Sequence, residues 1–209
     1  TVFRDNTSFE KDEGKFSFKL KPNTDYVFVI TKDKYFNGRA RFTTDSLEFS
    51  KDFVYEIVLE NYEKTIEIPN IEFEFAQWNL IDSSKLILDS LIILMRENPN
   101  LVIELSAHTD MVGSEEANME LSQKRANSVV EYLISRGIAE ARLVAKGYGK
   151  NKPKIITESD LRYPFLKEGD ILTEDFVNAL SPEQQVVANQ QNRRIEMRVL
   201  SNDYIPSLD

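Results

Sequence analysis

Residues 106–136, SAHTDMVGSEEANMELSQKRANSVVEYLISR, change character twice. Ser106–Asp110 reads as the end of a strand. A turn carrying Gly113 follows, and Ser114 with Glu115 and Glu116 makes a favourable helix start, since acids stabilise the first turn. Gly137 is a natural left-handed stop. At 100° per residue Leu121, Ala126, Val129, Val130, Leu133 and Ile134 form one apolar arc, which predicts a helix packed on a core. Arg125 falls on that arc between Leu121 and Val129. A guanidinium there needs an anionic partner or a polar cleft, because burying an unpaired charge is prohibitive.

Outward from this helix the pattern is regular. Upstream, IEFEF places Ile71, Phe73 and Phe75 on one face of an expected strand. DSSKLILDSLIILMRENPN predicts a helix with an Asp/Ser cap that stops before Pro99 and buries Leu86, Leu91, Leu94 and Met95. LVIELSAHTD is an almost continuously apolar strand, as a central strand is. Downstream, RLVAKGYG and NRRIEMRVL predict two more strands. Between them Asn151–Gln191 is an insert with two short helices, TEDFVNAL and SPEQQVVANQQ, the second with Pro182 at its first position. The order is β-α-β-α-β-(insert)-β, an α+β chain folded as a two-layer α/β sandwich over residues 66–205. Residues 1–65 read instead as a small β-sandwich-like module of about four strands, in GKFSFKL (Phe16, Phe18 and Leu20 on one side), DYVFVITK, GRARFTT and DFVYEIVL.

Composition narrows the function. The chain has 209 residues, 41% hydrophobic and 29% charged, with net charge −9. Such an acidic chain lacks the basic field that nucleic acid or an anionic membrane surface needs. No run is long and apolar enough to span a bilayer. The start, TVFRDN, suggests a fragment of something longer. Enzymatic chemistry is poorly supplied: His108 is the single histidine, cysteine is absent, and no Gly-x-Ser-x-Gly elbow exists. Zinc ligands are lacking. Gly147 and Gly149 in GYG lack the lysine and helix start of a phosphate loop. No cofactor is expected. His108, beside Thr109, reads as a strand-end histidine packed in a hydrogen-bond network, with a ligand-site residue as the alternative.

The same helix offers a binding site. Asn118 projects from nearly the angular position of Arg125, with Leu121 between them. Asp110, at the strand-to-turn junction, is the nearest candidate acid. Asp110 and Arg125 could hold a zwitterion between them, or pair with each other and bind nothing. Spacing alone leaves both open, since Arg125 lies about 15 Å along its helix and the loop would have to fold back to reach it.

The run IELSAHTDMVGSEEANMELSQKRANSVVEYLISRGIAEARLVAKGYGKNKP, followed by NQQNRRIEMRVL, closely resembles the OmpA C-terminal-like peptidoglycan-binding domains. The resemblance rests on HTD, the glycine after the turn, the N..LS..RA..V..YL...GI...RL...GYG..P pattern and the terminal NRR.E. It covers about residues 66–201. It implies a non-enzymatic anchor, periplasmic and outer-membrane associated, that holds the diaminopimelate of the peptidoglycan stem peptide. Asp110 and Arg125 would be its key acid and arginine, Asn118 the supporting asparagine, and Thr109 and Leu121 the pocket lining. Strand alternation puts Arg193 inward, as a ligand-facing or supporting residue, and Arg194 outward. Where the family commonly has Phe-x-Phe-Asp this chain has FEFAQW, so Ala76 replaces an acid and Gln77 or Trp78 could alter the rim. The front segment resembles part of a carboxypeptidase-regulatory-like β-sandwich. That combination is similar to large outer-membrane proteins of the Bacteroidetes, including a lipoprotein of the type IX secretion apparatus, so secretion-complex proteins are expected partners. A protein-interaction module that keeps this fold without binding ligand is the alternative.

Overall fold

The structure is a computed structural model in which residues 19–46, 49, 51–74, 77–158 and 160–206 are described. Phe16, Phe18, Phe75 and Ala76 therefore lie outside the described residues. Contacts group the chain into two compact units, Thr1–Asn61 and Tyr62–Asp209.

In the first unit β1 (Asp25–Ile30) pairs antiparallel with β2 (Gly38–Thr43). Alternation puts Tyr26, Phe28 and Phe42 on one face, where the rings stack on one another and on Phe53 and Tyr55. The expected strand in DFVYEIVL is not formed: residues 51–60 carry no ladder, and only Asn61 makes an isolated bridge, to Tyr35. The aromatic alternation there is satisfied by ring stacking rather than by strand pairing.

The second unit runs β3 (Ile66–Ile68), α1 (Asp82–Glu97), β4 (Val102–His108), α2 (Glu115–Ser135), β5 (Leu143–Gly149), α3 (Glu174–Asn178), α4 (Pro182–Asn192) and β6 (Ile195–Ser201). A four-stranded sheet forms in the order β3-β6-β4-β5, with β4 and β5 parallel and the other pairs antiparallel. This is the expected mixed sandwich. Its first strand lies earlier than the sequence suggested. Ile66–Ile68 pairs with β6, whereas Ile71–Phe73 does not join the sheet. Asn70, at φ 58°, turns the chain out of it, and Phe73 only bridges Leu80 in a tight loop.

Helix α1 buries Leu88, Leu91, Ile92 and Met95, and Leu101, Ile103 and Leu105 of the β4 region are buried as well. Leu86, expected in that core, is 72% exposed because it lies on the opposite side of the helix from Leu88 and Ile92. The expected Asp/Ser cap is also absent. Ile81 is the N-cap residue, and Ser84 exchanges hydrogen bonds with the Glu72 backbone instead.

Helix α2 is bounded as the sequence predicts. Ser114 accepts from the Ala117 N–H, and Gly137 takes φ 90° just past the end. Ala126, Val129, Val130 and Leu133 are its buried arc, while Ile134 sits at the exposed margin. The helix lies close against β5. Ser122 Oγ accepts from Gly149 N at 2.8 Å, and Gln123 Oε1 accepts from Gly147 N at 2.8 Å. A Cβ on Gly147 would stand 2.4 Å from the Gln123 backbone nitrogen, so GYG is a packing motif here.

The insert has a core of its own, formed by Met111, Ile156, Leu166, Leu172, Val177 and Ala188. Met111 belongs to the loop after β4, so the insert grips that loop. Burying one such side chain contributes about 1.5–3 kcal/mol. At the far end of the sheet Arg142, in a 3-10 turn (Glu140–Arg142), is only 6% exposed. It donates to the carbonyls of Met95 and Asn98 at the end of α1 and to that of Leu101 just before β4.

Candidate ligand clamp

The site forms where the end of β4, the first half of α2 and the end of α4 meet. Thr109 is 3% exposed; its N–H donates to Gly149 O, and its hydroxyl donates to the Asp110 carbonyl at 3.1 Å. It fixes the backbone from which Asp110 projects. Asp110 Oδ1 accepts from Val112 N at 3.2 Å, an Asx turn that orients the carboxylate. Asn118 is buried at 6% and spends its amide on the carbonyls of Val112 and Ser114, at 2.9 and 3.0 Å. It braces the loop rather than opening onto a pocket. Leu121 is half-buried one turn further on.

Arg125 is half-buried, as its place on the apolar arc requires. Its Nε donates to the Gln77 carbonyl at 3.1 Å, and its guanidinium lies 4.9 Å from the centre of the Phe73 ring. Among the described residues its two Nη groups have no acceptor. Burial pushes its pKa below the ordinary arginine value; nearby Asp110 works against that, and nearby Arg193 adds to it. It remains a cation at neutral pH, as arginine does throughout proteins.

An Asp110–Arg125 ion pair, one of the two arrangements the spacing allowed, is not what forms. Asp110 Oδ2 pairs with Arg193 Nη1 at 2.6 Å. Arg193 is not an inward strand residue: it is the C-cap of α4, ahead of β6, with its side chain 36% exposed. Strand alternation therefore does not apply to it, and the inward and outward assignments exchange. Arg194 is the shielded one, 7% exposed and bonded to Glu196 Oε1 at 2.6 Å. Gln190 takes the other end of the Arg193 guanidinium, and Asn189 Oδ1 accepts from Met111 N. The last turn of α4 thus holds the Asp110 loop by two side chains.

Sequence reasoning missed Phe73, Asn189 and Gln190. The spacing of Gln190 and Arg193, three apart at a helix end, carried a signal. Nothing in the sequence announced that Phe73 would lie under Arg125, because it read as one more inward strand residue. Trp78 lies at the rim, 42% exposed, with the Lys124 ammonium 4.4 Å from its ring centre.

Behind the clamp His108 is buried at 2%, with the Tyr148 ring stacked 5.3 Å away. Its Nε2 approaches Glu196 Oε2 at 3.2 Å, but no aligned hydrogen bond reaches either ring nitrogen from the described residues. We take the contact as electrostatic, so the expected hydrogen-bond network is only partly made. Burial works to raise the Glu196 pKa; the His108 and Arg194 side chains outweigh it and hold the carboxyl at about 2.

A separate depression of about 140 Å³, lined by Lys154, Tyr163 and neighbouring insert residues, includes none of the clamp residues. Among the described residues no cluster of metal-ligating side chains occurs, and no helix is long and apolar enough to cross a membrane.

Residues 72–162, from the Phe73 loop through α2 and β5 into the insert, match the OmpA family model. Among relatives, the chain is 34% identical over 84 residues to outer membrane protein P5 of Haemophilus influenzae, covering 40% of this chain and 24% of that protein. It is 48% identical over 46 residues to outer membrane protein A of Klebsiella pneumoniae, covering 22% of this chain and 13% of that one. The matched segments thus span a quarter or less of these relatives. Among solved structures, it is similar to the peptidoglycan-associated lipoprotein from Burkholderia pseudomallei, at 23% identity and TM-score 0.44, covering 62% of this chain and 87% of that one. It is likewise similar to the cell wall anchor of the T6SS from Pseudomonas aeruginosa, at 20% identity and TM-score 0.43, covering 64% and 76%.

Proposed function

We propose that the second unit binds cell-wall peptidoglycan without catalysis, in the periplasm, and so fastens an outer-membrane-associated complex to the wall. Arg125 takes the side-chain carboxylate of the stem peptide's diaminopimelate, and Asp110 faces its ammonium. The observation that carries this is Arg125: a half-buried guanidinium, fixed by Gln77 and Phe73, with its Nη fork unclaimed among the described residues. Such a fork suits a carboxylate in bidentate geometry. The OmpA family match supports the reading, as does the acidic net charge of −9, since a polyanionic wall must then be caught by a local site. One clamp gives modest affinity, and many copies facing one sacculus raise avidity without new contacts.

The test is co-sedimentation with purified sacculi. The wild type pellets with the wall, whereas Asp110→Ala and Arg125→Ala stay in the supernatant while keeping their circular dichroism spectra. Both variants pelleting like the wild type would remove the clamp. The second reading, a protein-interaction module without ligand, draws on the Asp110–Arg193 pair, which already neutralises the acid. The first unit, as a carboxypeptidase-regulatory-like module, would then contact secretion-complex proteins such as those of the type IX apparatus.

A further inference from the structure

Consecutive residues of α2 lean on consecutive residues of one loop. Arg125 Nε donates to the Gln77 carbonyl at 3.1 Å, and the Lys124 ammonium stands 4.4 Å from the centre of the Trp78 ring. Even with that cation over it, Trp78 is 42% exposed. The loop is closed on itself. Glu74 N–H donates to Asn79 O at 3.0 Å and Gln77 N–H to Glu74 O at 2.9 Å, while the Asn79 amide donates to Glu74 Oε2 at 3.1 Å and Gln77 Oε1 at 3.0 Å. An exposed indole is thus already held in place, so little ordering is left to oppose a contact. Glu74, Gln77 and Asn79 are exposed around it, and Glu74 Oε1, Gln77 Nε2 and Asn79 Oδ1 have no hydrogen-bond partner among the described residues.

We propose that Trp78, flanked by Glu74, Gln77 and Asn79, is a sugar subsite that takes an N-acetylated hexosamine of the wall's glycan strand beside the peptide clamp. This rests on the diaminopimelate reading above and extends it to a second part of the same polymer. A pyranose has an apolar face of C–H groups, which suits a flat indole. Its rim of hydroxyl and amide groups suits short planar side chains that donate and accept. The local charge favours a neutral occupant: Lys124 is already paired with Glu120 at 2.6 Å, and Glu74 would repel an anion. Reach fits as well. Two residues and a lactyl ether separate diaminopimelate from its sugar, on the order of 10 Å of chain. Trp78 directly follows Gln77, the residue that holds Arg125.

The experiment uses the whole 209-residue chain and two soluble ligands. They are L-Ala–γ-D-Glu–meso-diaminopimelate and the same tripeptide carried on the disaccharide GlcNAc–MurNAc. Calorimetry gives the ratio of their affinities for each protein. Emission of Trp78, the single tryptophan of the chain, is followed in the same titrations. In the wild type the disaccharide tripeptide binds about three- to tenfold tighter than the tripeptide, the scale of one aromatic contact, and its binding changes the Trp78 emission. Trp78→Ala brings the ratio to about one, and Trp78→Phe, with a smaller ring, leaves it at about two.

A wild-type ratio of one, with the tripeptide binding, overturns the sugar subsite and leaves the clamp standing. An unchanged ratio in Trp78→Ala also overturns it, even if both ligands bind more weakly, because Trp78 would then support the peptide site rather than touch the sugar. So does saturation by the disaccharide tripeptide without any change in Trp78 emission. If neither ligand and no sacculus binds the wild type, the function reading falls and the subsite falls with it.

Discussion

Replacing Gly147 by alanine tests how rigidly the two poles of the clamp are joined. The added methyl would sit 2.4 Å from the Gln123 nitrogen, 2.6 Å from Ser122 Oγ and 2.7 Å from the Gln123 Cα. Two of these three are backbone atoms of α2, so no side chain can simply swing aside. Restoring ordinary van der Waals contact requires α2 to back away from β5 by about 1 Å, and overpacking of this kind costs about 3 kcal/mol. For a protein of this size that lowers Tm by about 6–12 °C. Because Arg125 rides on α2 and Asp110 on the strand end beside β5, the same displacement misaligns the clamp, and retention on sacculi falls with stability. Gly137→Ala is the control. It has φ 90° but no neighbour within 4 Å, so it carries only the left-handed backbone penalty of about 1–2 kcal/mol. Differential scanning calorimetry and sacculus co-sedimentation on both variants decide the matter. Gly147→Ala costing no more than Gly137→Ala, with retention unchanged, would show that the close approach constrains nothing.

Arg142→Met strips the carbonyls of Met95, Asn98 and Leu101 of their donor. With acceptors left buried, urea unfolding should show a loss of about 3 kcal/mol, with Arg142→Lys in between; a change under about 1 kcal/mol would mean that water replaces the guanidinium freely. The Glu196 carboxyl, held at about 2 against an ordinary 4.5, contributes stability that is present above pH 4.5 and lost as pH falls toward 2. Glu196→Gln should be less stable than wild type at pH 7 and should lose less between pH 4.5 and 2, as followed by thermal melts; parallel pH profiles would contradict the assignment.

Where one element's own pattern fixed its fate, the sequence was sufficient. Ser114 and Gly137 bound α2 because caps act locally, and Ser181 with Gln184 makes a capping box ahead of α4 for the same reason. Errors arose where two patterns competed. Ile71, Phe73 and Phe75 alternate like a strand, yet the turn at Asn70 comes first, and the sheet takes Ile66–Ile68 instead. In the site, Arg125 stood out because it was anomalous on its apolar arc, and Asp110 because it was the nearest acid outside the helix. The Asp110–Arg193 pair joins residues 83 apart, and no local spacing encodes that meeting. Asn118 was found by its helix angle, but its work bracing the loop depends on where Val112 O ends up. Arg142 was overlooked because an arginine in a short turn normally faces water, and only the approach of α1 buries it.

The bonds from Ser122 and Gln123 to β5 also bear on assembly. A rim strand ordinarily leaves a row of open N–H and C=O groups, on which another chain can add a strand. Here the outward N–H groups of Gly147 and Gly149 are taken by α2, and Ala145 O accepts from Gln123 Nε2 at 3.3 Å. The long side of the sheet is closed by its own helix. The opposite rim is β3, three residues from Ile66 to Ile68. Among the described residues of this four-stranded sheet, strand addition is therefore left to the three-residue β3 rim and to the end of β6 that runs beyond it.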